Sequence, residues 1–202
     1  MNTVVLASAS PRRRRLFKMM GIDCSVDPSD TVEIIDDSIK PEENVCRLAE
    51  QKALDVVDRH SNGIIIAADT IVVRDGEILG KPSTKDDAFR MLRSLSGRHH
   101  HVFSGVTIMD AGSTQPGDDA VSFYEKTKVT FSTLDDTEIK SYIATGSPMD
   151  KAGAYGIQDD YGSIFICKIE GDYYNVVGFP VNKFYQTLKQ KHPAMFKRVF
   201  GI

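Results

Sequence analysis

The segment Gly63-Ile64-Ile65-Ile66-Ala67-Ala68 is apolar without alternation. A strand-length run of this kind offers no face to water, so it reads as a central strand of a sheet. It stops at Asp69. Extended structure is predicted to resume over Thr70 to Val73, turn at Asp75-Gly76 and return over Glu77 to Leu79. Helices and further strands intersperse around it. Thr3 to Ala7 reads as a short buried strand and Ser8-Ala9-Ser10 as a turn. Ser10-Pro11 supplies an N-cap and a first helical residue, and Gly21 ends that helix. Ile22 to Val26 is a second strand, and Asp27 to Lys40 a polar loop containing Glu33, Asp36 and Asp37. Pro41 opens a helix to about His60 with the stripe Val45, Leu48, Ala49, Lys52, Val56. Thr84 and Asp87 resemble a capping box for a helix to about Leu95. His101 to Met109 and Ser122 to Ser132 read as strands, separated by a loop from Ala111 to Asp119. Asp135 with Glu138 starts a short helix. Ile164 to Ile169 and Tyr173 to Val177 form a hairpin through Glu170-Gly171-Asp172. Pro180 starts a final helix, and the tail after Pro193 frays. The expectation is a mixed sheet in an α/β arrangement.

The length of 202 residues fits one domain or a two-lobed single unit. Apolar residues at 41% and charged residues at 26% exclude a disordered, collagenous or coiled-coil chain. The 25 basic and 28 acidic side chains leave a net charge of −3, which opposes general nucleic-acid binding. The basic residues are local instead, as for a small anionic ligand. Cys24, Cys46 and Cys167 lie far apart with no CxxC pair, against a disulfide framework or a zinc site; a reducing cytoplasm is expected. No apolar run approaches the ~20 residues of a membrane span. The opening MNTVVLASAS has a short apolar run, and its arginines follow that run, so a signal peptide is not expected.

Several separate places in the chain carry residue types suited to chemistry. Ser8 to Arg13 puts serine hydroxyls and guanidiniums at a helix N-terminus, where the dipole favours anions. The plain alternative is a solvated helix face, since consecutive arginines cover every side of a helix. Asp69 closes the buried run, where ligands gather outside the carboxyl ends of strands; it suits a metal ligand or a general base, or a turn. Lys52 lies on the inward stripe, costly for an ammonium unless it snorkels or meets an anion. Lys81 sits in a Gly-Lys-Pro turn, and Glu33 in a polar loop. Asp150 to Gln158 is rich in small residues that admit close approach, and the Gln158 amide can read a base edge; a glycine-rich turn is the alternative. His99-His100-His101 lacks further ligands at metal spacing and reads as an exposed or edge-strand segment.

Taken in order, several segments resemble the Maf proteins: Leu6 to Arg13, Arg47 to Ala53, Ala68 to Val72, Gly80 to Pro82, Leu95 to Gly97, Asp150 to Gln158 and Val177 to Pro180. The resemblance runs from about Val4 to the last helix. It implies a nucleoside triphosphate pyrophosphatase that splits the α–β phosphoanhydride with a divalent metal, Mg²⁺ or Mn²⁺. The implied fold is similar to the inosine triphosphate pyrophosphatases: a single domain over 1–202, with an elongated mixed sheet, flanking helices and two lobes around a central cleft. Homodimers are common in the family. Asp69-Thr70 and Lys151 to Gln158 resemble the branch that favours dTTP and UTP. The resemblance makes Asp69 the proton acceptor and places Ser8, Arg13, Glu33, Lys52 and Lys81 in the polar cluster of the cleft. It links Arg12, Thr70 and Gln158 to substrate choice, and it gives Asp69 and Glu33 to the metal. One departure stands out: the family often has paired acids where this chain has Val32-Glu33, so Glu33 is assigned by its distance from Gly21 and Lys52.

Two other readings remain. One is a pyrophosphatase for 7-methyl-GTP or for non-standard nucleotides broadly, against which Thr70 argues. The other is a regulatory binding protein of cell division, acting through a partner or nucleic acid. The acidic balance weakens its nucleic-acid form, and it leaves the carboxylate–lysine cluster unexplained.

Overall fold

In the computed structural model, Ile64, Ile65 and Ile66 pair in parallel with Val4, Val5 and Leu6. The residues described are 4–113, 120–158 and 160–202. Among them, β1 (Val4–Leu6), α1 (Pro11–Met19), β2 (Cys24–Val26), α2 (Pro41–Val57) and β3 (Ile64–Arg74) open the chain. β4 (Glu77–Leu79), α3 (Lys85–Leu95), β5 (His99–Asp110), β6 (Val121–Phe131) and α4 (Asp136–Ala144) follow. The chain ends with α5 (Asp160–Ile164), β7 (Ile166–Glu170), α6 (Tyr173–Val177), α7 (Val181–Lys191) and α8 (Pro193–Phe200). The strand order is β2-β1-β3-β5-β6-β7, with β4 paired to β3. β1 is parallel to β2 and β3, whereas β4 runs antiparallel to β3 and β7 antiparallel to β6. The architecture is a mixed open sheet with helices, as expected. Thr3, and residues 114–119 of the expected loop, lie outside the described residues.

The chain divides into two compact units. The first comprises Met1–Asp69, Ser104–Glu125 and Gly178–Ile202; the second comprises Thr70–Phe103 and Lys126–Val177. In the first, Val5, Ala7, Ile65 and Ala67 from the strands pack on Ala53 and Val56 of α2. Gly105 of β5 is the point of closest approach: a Cβ there would lie 2.7 Å from Cys46 N and closer still to the Val45 carbonyl. Phe17, Phe179 and Phe184 form a second apolar group, all fully buried. The second unit is centred on Val72, Leu79, Leu92, Phe131, Ile139, Tyr142, Tyr155 and Phe165.

Local signals are obeyed where the chain caps itself. Ser10 Oγ accepts from Arg13 N, Pro11 is the first helical residue, and Gly21 follows the helix with φ of +73°. Asp135 and Glu138 form a full capping box. At Thr84 only half the box forms: Thr84 Oγ1 accepts from Asp87 N, while Asp87 Oδ2 accepts from Ser83 N. Asp75 and Gly76 both have positive φ, as a tight primed hairpin turn requires.

Four expectations are corrected. β3 does not stop at Asp69 but runs through it to Arg74; the Asp69 carboxylate accepts from Lys52 Nζ on α2, so the acid sits inside the strand without ending it. Tyr173 to Val177 is a short helix, not a strand. Asp172 Oδ1 accepts from Tyr174 N, and the fully buried Asn175 donates to Val102 O and Thr127 Oγ1. These bonds override the β-branched and aromatic composition. The tail after Pro193 forms α8 instead of fraying, its Phe196 and Phe200 rings packed on Tyr185. Of the exposed or edge-strand reading of His99–His101, exposure holds at His99, but the segment is not on an edge strand, since β5 lies between β3 and β6. His100 is 1% exposed and its Nε2 lies 2.6 Å from Tyr155 Oη. Burial pulls the His100 pKa down to about 3, so the ring is neutral at ordinary pH.

Candidate active site

β1 is short. Its ladder with β3 ends at Leu6–Ile66, and Ala7 N still donates to Ile66 O. The chain then turns through Ser8 into α1. Asp69 lies three residues further along β3, beyond the carboxyl end of its parallel neighbour, where α/β sheets gather ligands. Side chains alternate along a strand, so Asp69 shares the face of Ile65 and Ala67, which pack on α2. Asp69 therefore points toward α2. It is 5% exposed.

The side chain that meets it is Lys52. The stripe of α2 continues Asn44, Leu48, Lys52, Val56 at four-residue steps, and all four are buried. Lys52 Nζ donates to Asp69 Oδ1 at 2.5 Å and to Glu33 Oε1 at 2.6 Å. The costly inward lysine thus has anions on two sides, and the buried Asp69 has its counter-charge. Glu33 lies in the loop and its side chain is 42% exposed. Among the described residues no three His, Cys, Asp and Glu side chains cluster to hold a metal ion by themselves.

Arg13 is built into the same unit from α1. Its Nε donates to Gly178 O at 2.9 Å and its Nη1 to Ser8 Oγ at 3.0 Å. Desolvation lowers the guanidinium pKa, and the field of Asp69 opposes that fall ahead of the smaller effect of Glu33. Arginine keeps its charge under such pressure. Ser8 is buried and its Oγ also accepts from Ser10 N. Ser8, Arg13, Glu33, Lys52 and Asp69 thus stand in one unit, linked by hydrogen bonds or by the field between them. Arg12 precedes Arg13 on α1 and is half-buried.

Thr70, Lys81 and Gln158 belong to the second unit. Thr70 is half-buried in β3, Lys81 is exposed after β4, and Gln158 is exposed at a turn. The segment leading to Gln158 is anchored. Lys151 is 7% exposed, and its Nζ donates to Asp150 Oδ1 at 2.6 Å and to Ser147 O. Gly153 has φ of +68° and its N donates to Gly80 O.

Two residues have no role in the sequence reading. Asn44 is fully buried. Its Oδ1 accepts from Asp36 N at 3.0 Å, and its Nδ2 donates to Asp36 O at 2.8 Å. Arg47 Nη2 donates to Ile34 O at 2.7 Å. The signal was present: Asn44 falls eight residues before Lys52 on the same stripe, where an apolar residue would be expected.

The chain is 46% identical over 189 residues to a protein named dTTP/UTP pyrophosphatase from Bacillus pumilus (strain SAFR-032), covering 94% of this chain and 96% of that one. It is 49% identical over 189 residues to a protein of the same name from Clostridium tetani (strain Massachusetts / E88), covering 92% and 96%. A solved structure, the Staphylococcus aureus Ham1 protein, aligns over 64% of this chain and 72% of its own, with 16% identity and a TM-score of 0.43. A family model described as Maf-like protein matches residues 3–191, and the chain belongs to that family.

Proposed function

We propose that this protein is a nucleoside triphosphate pyrophosphatase that hydrolyses dTTP and UTP to the monophosphate and pyrophosphate. The observation that carries the reading is the Lys52 ammonium held between Asp69 and Glu33 at the carboxyl end of β1. The relatives' name supplies the substrate.

The water oxygen bonds to the α-phosphorus, the bridging oxygen leaves with pyrophosphate, and the water proton passes to Asp69. Lys52 holds the Asp69 side chain in place through Oδ1, and a positioned general base contributes roughly 10²–10⁴-fold. Ser8 and Gly178 hold Arg13 by two of its nitrogens, and a guanidinium held in this way suits phosphate oxygens. The N-terminus of α1 adds its dipole.

The carboxylates Asp69 and Glu33 balance the cations Lys52 and Arg13, so these four leave no net positive charge for a polyanion. A hard divalent cation that takes one or two carboxylates, with phosphates and waters completing its shell, fits this donor set; an all-protein cage does not. Asp69 and Glu33 would hold it, and when bound it would neutralise phosphate charge. On the resemblance, Lys81 is assigned to the phosphates, and Arg12, Thr70 and Gln158 to the choice of nucleotide. A pyrimidine dione offers two carbonyls and one N–H, which an amide and a hydroxyl can complement.

The test is pyrophosphate release from a panel of triphosphates, 7-methyl-GTP included, with and without Mg²⁺. Release from dTTP and UTP above the others, dependent on Mg²⁺, is the expected result. No release from either pyrimidine nucleotide overturns the reading.

A further inference from the structure

Three contacts tie the loop around Glu33 to one helix, and their order is antiparallel. Going down α2, Lys52 bonds Glu33, Arg47 bonds Ile34 O, and Asn44 bonds both the N–H and the carbonyl of Asp36. Arg47 Nη2 also donates to Asn44 Oδ1 at 3.2 Å, joining the two clamps. Eight helical residues separate Asn44 from Lys52, about 12 Å of rise. Three residues separate Glu33 from Asp36, about 10 Å when fully extended. The loop therefore has little slack between its two anchors. Val32 and Ile34, which flank Glu33, are 75% and 64% exposed, so burial does not hold this stretch. Its place is set by hydrogen bonds to backbone, and the residue making two of them is fully buried.

We infer that Asn44 and Arg47 are positioning residues for Glu33. They fix the backbone at Ile34 and Asp36, which draws the chain taut along α2 and delivers the Glu33 carboxylate to Lys52. The inference rests on the pyrophosphatase reading for its kinetic consequence, and on geometry alone for the clamp.

The experiment is a double-mutant cycle on dTTP hydrolysis with Asn44→Ala, Glu33→Gln and the double variant, each with its Tm. A misplaced carboxylate costs up to about 10²-fold, so Asn44→Ala is expected to lower kcat by roughly 10- to 100-fold with a much smaller change in KM. In the Glu33→Gln background the same substitution is expected to cost no more than about twofold, because the group it positions is already gone. A purely structural asparagine would give losses that multiply. Multiplying losses, or wild-type kcat in either single variant, overturns the inference. Arg47→Ala serves as a second variant on the surface side of the clamp, and Arg47→Lys, which keeps one donor, should recover part of the loss. If the wild-type protein releases no pyrophosphate from dTTP or UTP, the functional reading fails, and the clamp is then read by amide hydrogen exchange. Faster exchange over residues 34–36 in Asn44→Ala and Arg47→Ala supports it; unchanged exchange overturns it.

Discussion

Lys52 on α2 and Asp69 on β3 meet at 2.5 Å, each nearly removed from water, and Glu33 accepts a second hydrogen bond from the same ammonium. A helix stripe and a strand face, packed on each other by Ala53, Val56, Ile65 and Ala67, bring them together.

Truncating the lysine is therefore expected to damage folding as well as chemistry. Lys52→Ala leaves the buried Asp69 carboxylate without its partner, which costs about 3–5 kcal/mol. The exposed Glu33 arm adds little, being screened by solvent. Urea unfolding should show this loss in the midpoint, and an unchanged midpoint would contradict the buried pair.

Gln158→Ala should behave in the opposite way. The side chain is exposed, so stability should stay within about 0.5 kcal/mol of wild type. The KM for dTTP and UTP should rise, by roughly tenfold for one lost hydrogen bond. Equal losses across all triphosphates would remove Gln158 from base selection.

Gly105→Ala tests the packing that aims α2. The new methyl would collide with the backbone of Val45 and Cys46, which cannot move aside as a flexible side chain would. A destabilisation of about 1–3 kcal/mol or more is expected, read as a fall in Tm. A neutral substitution would mean that α2 is not seated on β5 as described.

Stability should also fall in acid through His100. Its folded pKa, about 3, lies below the ordinary 6.5 because burial opposes the charge. Between those values the unfolded chain binds a proton that the folded chain does not, so stability rises with pH there. The contribution is complete above about pH 6.5 and is lost progressively toward about pH 3. His100→Gln removes this titration. Its Tm between pH 7 and pH 5 should fall less steeply than that of wild type, and equal slopes would sink the assignment.

The parts of the fold written locally were legible in the sequence. Ser10-Pro11 and the Asp135–Glu138 box depend on neighbours within one turn, and the isoleucine run declares its own burial. Lys52 was legible as an anomaly, a lysine on an apolar stripe. Its partners were not: Asp69 read as the end of a strand because an acid inside a buried strand makes sense only once the ammonium facing it is known. Asn44 passed unnoticed for the same reason, since its bonds go to the backbone of a loop with no pattern of its own. Tyr173–Val177 and His100 failed on long-range terms, the first on Asn175 reaching Val102 and Thr127, the second on the placing of β5 between two strands. The grouping of Ser8, Arg13, Glu33, Lys52 and Asp69 followed from the resemblance, not from periodicity.

Asp69→Asn is the sharpest probe of the claim that Asp69 receives the proton. The amide keeps the shape and accepts from Lys52 but cannot take a proton. Single-turnover hydrolysis of dTTP, with binding and Tm measured on the same sample, should show a folded protein that still binds the nucleotide and is slowed by roughly 10²–10⁴-fold. Turnover at the wild-type rate would contradict the account.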